Sequence, residues 1–339
     1  STSRTRIVVA KYRRLLRRPG AAAMVNYRPM GKTELEVSEI GFGTWTLTSG
    51  KWGAFSPEQA VELLRYAYAQ GINYYDTSAV HAGGLGERLL ATAFKEQREL
   101  VVITTKVGYT AEGGPRDFSP EHLRKAVDAS LARLESAYID VLQLHHPDMA
   151  AVSNEAMWSA LEDLRSEGKI RYYGLVFGPG PAGLEEGRVA MRKRDIGCIQ
   201  VYYNVLEEEP SRKFFPVALE INQGMVVRAP HAGGALEANP PEVTKYPEDE
   251  DLRVKDPAWV AKALQRAENL RWIWEGKGMT MPQAALKFIL SEETVCSTLP
   301  NLYRADQIDA YGAVSDFESY SQSELGEIAE QFRKNFGVA

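Results

Sequence analysis

Asn73-Tyr74-Tyr75-Asp76-Thr77-Ser78-Ala79-Val80-His81-Ala82-Gly83-Gly84-Leu85-Gly86-Glu87 is the stretch on which the reading of this chain turns. An apolar, aromatic segment ends in a carboxylate, paired glycines follow, and an apolar-periodic run begins at Leu85. That order reads as a short buried strand, an acid at its end, a tight turn and a helix. Gly84 and Glu87 are read as fixing the turn and the helix start.

The same strand-then-helix unit repeats outward from this stretch. Apolar runs that suit strands fall near residues 40–43, 73–76, 100–106, 139–145, 171–176, 198–202, 225–229 and 295–299. Ser56-Pro57-Glu58 and Ser119-Pro120-Glu121 each place an N-cap before a proline in the first helical turn. Val61, Leu64 and Tyr68 give the first of these helices one apolar face, and Gly71 closes it; Val127, Leu131 and Leu134 do the same for the second. Eight strands alternating with helices, with no linker, predict a single (β/α)8 TIM barrel over residues 27–339 behind an extension over residues 1–26. No GxGxxG turn follows the first strand, which counts against a Rossmann fold. In such a barrel the chemistry sits at the C-terminal ends of the strands. Asp76, Lys106, His145, Val176, Gln200 and Arg228 fall at or near those ends. Residues 231–256, aperiodic and rich in proline, glycine and charge, read as a lid over that face, with His231 solvated in it.

With 44% hydrophobic residues in 339, the chain can bury a large core. Cys198 and Cys296 have neither CxxC spacing nor metal-ligand neighbours, so plain thiols in a reducing, cytoplasmic setting are expected, with no metal site. No apolar run approaches the ~18 residues of a membrane span. The net charge of −5 hides an asymmetry: residues 1–33 hold nine Lys/Arg and no acid, and the rest holds 31 basic against 45 acidic residues. An acidic body is a poor nucleic-acid binder. The basic arm has three readings: a passive extension before Met24, an organelle-targeting peptide, or an arm that docks a protein partner or a neighbouring subunit. The acidic runs at 207–209 and 248–251 are expected to be solvated loops.

Residues 73–87 resemble, without a gap, the Asp-Thr-Ala-x-x-Tyr-Gly-x-Gly-x-Ser-Glu motif of the aldo/keto reductase family. The resemblance runs from Tyr27 to about Ala313. Arg28-Pro29-Met30-Gly31-Lys32-Thr33 and Gly41-Phe42-Gly43-Thr44-Trp45 look like the family's opening hairpin and first strand. Lys106, in Val102-Ile103-Thr104-Thr105-Lys106-Val107-Gly108, matches its active-site lysine, and His145, in Gln143-Leu144-His145-His146-Pro147, its histidine. The resemblance implies a catalytic set of Asp76, His81, Lys106 and His145, with His81 at the place of the proton-donating tyrosine. It further implies NADP(H) or NAD(H) held by Gly43, Thr44, Gln200, Arg228, Asn301, Arg304 and Gln307.

Hydride addition to a carbonyl carbon builds negative charge on the oxygen, so a hydrogen-bond donor must stabilise that charge and deliver a proton. A lysine beside a tyrosine lowers the phenol from its reference near 10, and an aspartate holds the lysine. An imidazole, with a reference near 6.5, is a weaker acid source at neutral pH and a better base, which favours base-assisted oxidation of an alcohol. Other positions depart as well. Gly174-Leu175-Val176-Phe177 stands where the family commonly has Gly-x-Ser-Asn. Leu299-Pro300-Asn301-Leu302-Tyr303-Arg304-Ala305-Asp306-Gln307 resembles the phosphate-binding stretch, with Asn301 for glycine in a turn expected to be left-handed and Tyr303 at the usual basic position. Three functions compete: an oxidoreductase for a small carbonyl or alcohol with His81 as its altered acid, a non-catalytic subunit of a larger assembly, and an eliminase or isomerase using His81 as a base. Trp45 and Trp52 are candidate pocket walls, and His146 is read as structural.

Overall fold

The computed structural model describes residues 25–237 and 257–338. A short antiparallel hairpin opens the chain, β1 (Tyr27–Pro29) and β2 (Glu36–Ser38), with Arg28 opposite Val37. Eight parallel strands follow: β3 (Phe42–Gly43), β4 (Tyr74–Asp76), β5 (Val102–Val107), β6 (Ile139–His145), β7 (Ile170–Val176), β8 (Cys198–Tyr202), β9 (Gly224–Arg228) and β10 (Val295–Leu299). They pair in sequence order, and the ends meet: Gly41 donates to the Thr298 carbonyl and Thr298 to the Glu39 carbonyl, both at 2.9 Å. The eight-stranded (β/α)8 barrel therefore closes as expected.

Alternation along the strands decides what the barrel encloses. Tyr74, Val102, Val141, Cys198 and Val226 face inward at the lower end and stack with Met30, Leu35 and Val37 of the hairpin region into one apolar plug. Two residues higher, the same inward series continues as Asp76, Thr104, Gln143, Gln200 and Arg228, and two higher again as Lys106, His145 and Tyr202. The odd-phase residues, such as Tyr75, Ile103, Leu142, Ile199 and Val227, pack outward against the helices in the larger core. Gly31 lets the hairpin close the lower end: its φ is +54°, and a Cβ there would lie 2.1 Å from the Gly224 nitrogen.

The helix starts follow their caps. Ser56 accepts from the Gln59 N–H in a capping box before Pro57–Ala69, and Ser119 accepts from the His122 N–H before Pro120–Leu134. Val61, Leu64, Val127 and Leu134 are buried on these helices, while Leu131 is half-buried. Both cysteines are buried free thiols; burial pushes Cys198 up to about 12.

Several expectations change. The stretch at 207–209 is not a solvated run, because Glu208 is fully buried and pairs with Arg212 one turn on. Most of the stretch read as a lid, together with the acidic run at 248–251 and the basic arm up to Met24, lies outside the described residues. The start of that stretch is described, and it is a turn over Ala232–Gly234 whose Ala232 and Gly234 are buried. His231 is not solvated: it is 1% exposed, its Nε2 lies 3.1 Å from the Pro282 carbonyl, and its ring lies 5.1 Å from Tyr311. Among the described residues no helix is long and apolar enough to cross a membrane.

Candidate active site

The inward series ends in charged and polar groups at the C-terminal mouth of the barrel. Lys106 Nζ donates to Asp76 Oδ1 at 2.6 Å and to the Thr77 carbonyl at 2.9 Å, while Gln200 Nε2 donates to Asp76 Oδ2 at 2.9 Å. Both carboxylate oxygens are thus engaged, and the ammonium is pinned from two sides. Lys106 is only 5% exposed, so removing either partner would strand a charge at a cost of about 3–5 kcal/mol. His145, at the end of β6, is also buried. Its imidazole is held well below the ordinary range, first by burial and then by His146, Lys106, His81 and Arg228 around it. At neutral pH it is therefore uncharged.

His81 comes to the same mouth on the turn that follows β4. Ala82, Gly83 and Gly84 take φ of +47°, +60° and +75°, a left-handed run that swings the chain into the helix Leu85–Phe94. Glu87 anchors that helix from below: it is wholly buried and accepts from Thr105 Oγ1 at 2.6 Å and Arg133 Nε at 2.5 Å. Gly84 rests on the same arginine, since a Cβ there would lie 2.4 Å from Arg133 Nε. Above the turn, Glu112 accepts from the Ala82 N–H at 3.1 Å. The result is a half-buried His81 whose ring lies edge-on to His145 at 6.1 Å between centroids.

Gly43, Asp76, His81, Lys106, His145, Gln200, Arg228 and Asn301 line one cavity of about 130 Å³. Trp45 and Thr46 form one wall, and Trp52 braces Trp45 edge-on at 5.0 Å without lining the cavity itself. His231 backs the far wall, its imidazole lowered to about 4 by burial. Three expected cofactor residues lie outside this lining. Thr44 is buried and donates to Thr77 Oγ1 at 2.8 Å, Gln307 accepts from the Tyr303 N–H at 3.1 Å, and Arg304 is forked onto Asp306. Asn301 does not take the left-handed conformation expected of it; its amide donates to Glu237 Oε1 at 3.0 Å instead. The sequence reading missed Tyr109, whose ring lies edge-on to His145 at 4.9 Å and whose hydroxyl is 3.3 Å from His146 Nδ1. It follows β5 by two residues, so its distance from Lys106 was the available signal.

A profile of the aldo/keto reductase family matches residues 39–332. The chain belongs to the aldo/keto reductase family. An L-galactose dehydrogenase from Arabidopsis thaliana is 29% identical over 318 residues, covering 90% of this chain and 93% of the plant protein. An uncharacterized oxidoreductase, YqkF, from Bacillus subtilis is 27% identical over 288 residues, covering 83% of this chain and 88% of that protein. Among solved structures, the holo form of the aldo-keto reductase AKR11C1 from Bacillus halodurans has a TM-score of 0.73 and 26% identity, covering 90% of this chain and 96% of that one.

Aldo/keto reductases generally use NAD(P)H. The reacting end of such a cofactor fits this mouth. The cavity is flanked by the flat Trp45 ring, and Gly43 leaves open space where a side chain would intrude, with no atom within 4 Å of a Cβ built there. On the segment leaving β10, Arg304 donates through Nε and Nη2 to the two carboxylate oxygens of Asp306.

Proposed function

We propose that this aldo/keto reductase moves hydride between a nicotinamide cofactor, NAD(H) or NADP(H), and a small carbonyl or alcohol, with His81 handling the proton. The observation that carries this reading is the convergence of the pinned Asp76–Lys106 pair, neutral His145 and His81 on one cavity. Gly43, Trp45 and Arg228, which line the cavity, would hold the nicotinamide, which when bound would supply or accept the hydride. Lys106, fixed by Asp76 and the Thr77 carbonyl, places a positive charge where the substrate oxygen gains negative charge. Uncharged His145 offers a hydrogen bond that orients that oxygen. His81 takes the hydroxyl proton during oxidation and returns it during reduction; an imidazole is suited to both. The Arabidopsis relative supports aldoses as the first substrates to try, with short aldehydes in the reverse direction.

One feature favours a second reading, a subunit that no longer turns over. Phe177, buried and stacked on Phe214 at 6.3 Å, offers the nicotinamide no side-chain hydrogen bond. The His81→Ala and His81→Tyr variants separate the two. For a working oxidoreductase, His81→Ala is expected to lower kcat by about 10²-fold or more with cofactor affinity retained. His81→Tyr, which keeps a hydrogen-bond donor in reach of the cavity, is expected to retain turnover of a short aldehyde. Identical kcat in all three proteins would refute the role given to His81.

A further inference from the structure

We infer that Tyr109 is a positioning residue for this site: its ring closes one side of His145, keeps water off the imidazole and fixes the direction in which it meets a substrate oxygen. The inference rests on the oxidoreductase reading above and deepens it. The chain leaves β5 through Gly108, whose φ of +131° turns it sharply, and a Cβ there would lie 2.5 Å from the Phe118 ring. Residues 109–116 then form a small hairpin. Tyr109 bridges Arg116 antiparallel, the Thr110 N–H donates to the Pro115 carbonyl at 2.9 Å, and the Asp117 N–H donates to the Gly108 carbonyl at 2.7 Å. The base of the hairpin is thus tied, and it holds Tyr109 half-buried. The tyrosine ring stands T-shaped to His145, 4.9 Å between centroids and 86° between planes, without lining the cavity itself.

His146 holds the hydroxyl end of Tyr109. Its φ of +55° is left-handed, uncommon for a residue with a Cβ, and two backbone bonds keep it there. Its N–H donates to the Val176 carbonyl at 3.0 Å, and its carbonyl accepts from Arg116. The His146 ring lies 4.8 Å from His145, and its Nδ1 is 3.3 Å from the Tyr109 hydroxyl. Three rings therefore brace one another, and the buried member is His145, 4% exposed. Among the described residues the titratable and charged groups around it are Asp76 and His81 from β4 and the turn after it, Lys106 from β5, His146 beside it, Tyr202 from β8 and Arg228 from β9. Burial is the leading cause of its low proton affinity, ahead of the cations. Removing the Tyr109 ring leaves every one of those groups in place and lets water in. Hydration favours the imidazolium, so His145 would then take a proton at higher pH and lose the uncharged form it needs in turnover.

Nuclear magnetic resonance titration of the full-length protein, labelled with carbon-13 at histidine Cε1, tests this without relying on turnover. The His145 resonance is assigned by its loss in His145→Asn. In the wild type it is expected to hold its neutral position as the pH falls from about 7.5 to about 5.5, through the ordinary imidazole range. In Tyr109→Ala it should move toward the imidazolium position over the same range; in Tyr109→Phe, which keeps the ring, it should not. Turnover of a short aldehyde at about pH 6 should fall about tenfold in Tyr109→Ala and about twofold or less in Tyr109→Phe, with cofactor affinity unchanged in both. A nuclear Overhauser contact between the Tyr109 and His145 rings is expected in the unaltered protein, and its absence would overturn the inference whatever the variants do. Tyr109→Ala titrating like the wild type, or Tyr109→Phe titrating like Tyr109→Ala, would overturn it while sparing the oxidoreductase reading. No hydride transfer by the wild type, with the titrations as expected, would overturn that reading and leave the shielding by Tyr109 standing.

Discussion

Replacing Arg133 by alanine removes a residue that never touches the cavity yet sets the position of His81. Its partner Glu87 is 0% exposed and has two hydrogen bonds, from Thr105 Oγ1 at 2.6 Å and from Arg133 Nε at 2.5 Å. Without the guanidinium the carboxylate keeps only a hydroxyl, and an uncompensated buried charge costs about 3–5 kcal/mol. At roughly 2 °C per kcal/mol for a chain of this length, the melting temperature should fall by about 6–10 °C. Gly84 packs directly on Arg133, so the left-handed turn loses its floor as well. Glu87→Gln combined with Arg133→Met removes both charges and roughly keeps the volume. Most of the lost stability should return, because the cost lies in the orphaned charge rather than in the absence of the pair. Thermal unfolding of the wild type, both single variants and the double variant, followed by circular dichroism at pH 7.5, measures this. Arg133→Ala melting within 2 °C of the wild type, or a double variant no more stable than Arg133→Ala, would refute the reasoning.

Two further outcomes follow from buried groups. His231 titrates at about 4 when folded and near 6.5 when unfolded, so the unfolded chain binds the extra proton between those values. Its contribution is fully present above pH 6.5 and is lost as the pH falls toward 4. From pH 7 to pH 5 the loss is about 2 kcal/mol, and His231→Gln should lack that increment in urea titrations at the two pH values. Equal pH dependence in both proteins would reject it. Gly86→Ala would place a methyl 2.4 Å from both Thr44 Oγ1 and Thr77 Oγ1, which are bonded to each other at 2.8 Å. Despite alanine's better helix propensity, a net loss of about 1–3 kcal/mol is expected, read as a lower melting temperature; an unchanged or raised one would contradict the packing.

The barrel was legible because its signals are local. Apolar runs marked each barrel strand to within two residues, and Ser-Pro-Glu marked two helix starts that the structure keeps. The strand-end residues Asp76, Lys106 and His145 could be placed at one mouth because parallel strands in register bring their ends together. What could not be read depends on contacts distant in sequence. His231 looks solvated within a glycine-rich run, yet its partners, Pro282 and Tyr311, are 51 and 80 residues away. Glu208 sits in a triple-glutamate run, and the inward turn that buries it leaves no sign in the composition. Asn301 suits a left-handed turn by residue type, but Glu237 supplies a partner for its amide and the backbone stays in an ordinary conformation.

Hydride transfer itself can be followed with reduced nicotinamide carrying deuterium on both positions of C4. Protein, labelled NADH and a short aldehyde are mixed, and the alcohol product is examined by mass spectrometry. One deuterium on the carbinol carbon is expected with the wild type, and little or none in the same time with His81→Ala at matched cofactor occupancy. Saturable cofactor binding with no deuterium in any product, across aldoses, ketones and aldehydes, would contradict the assignment of this mouth as a working active site.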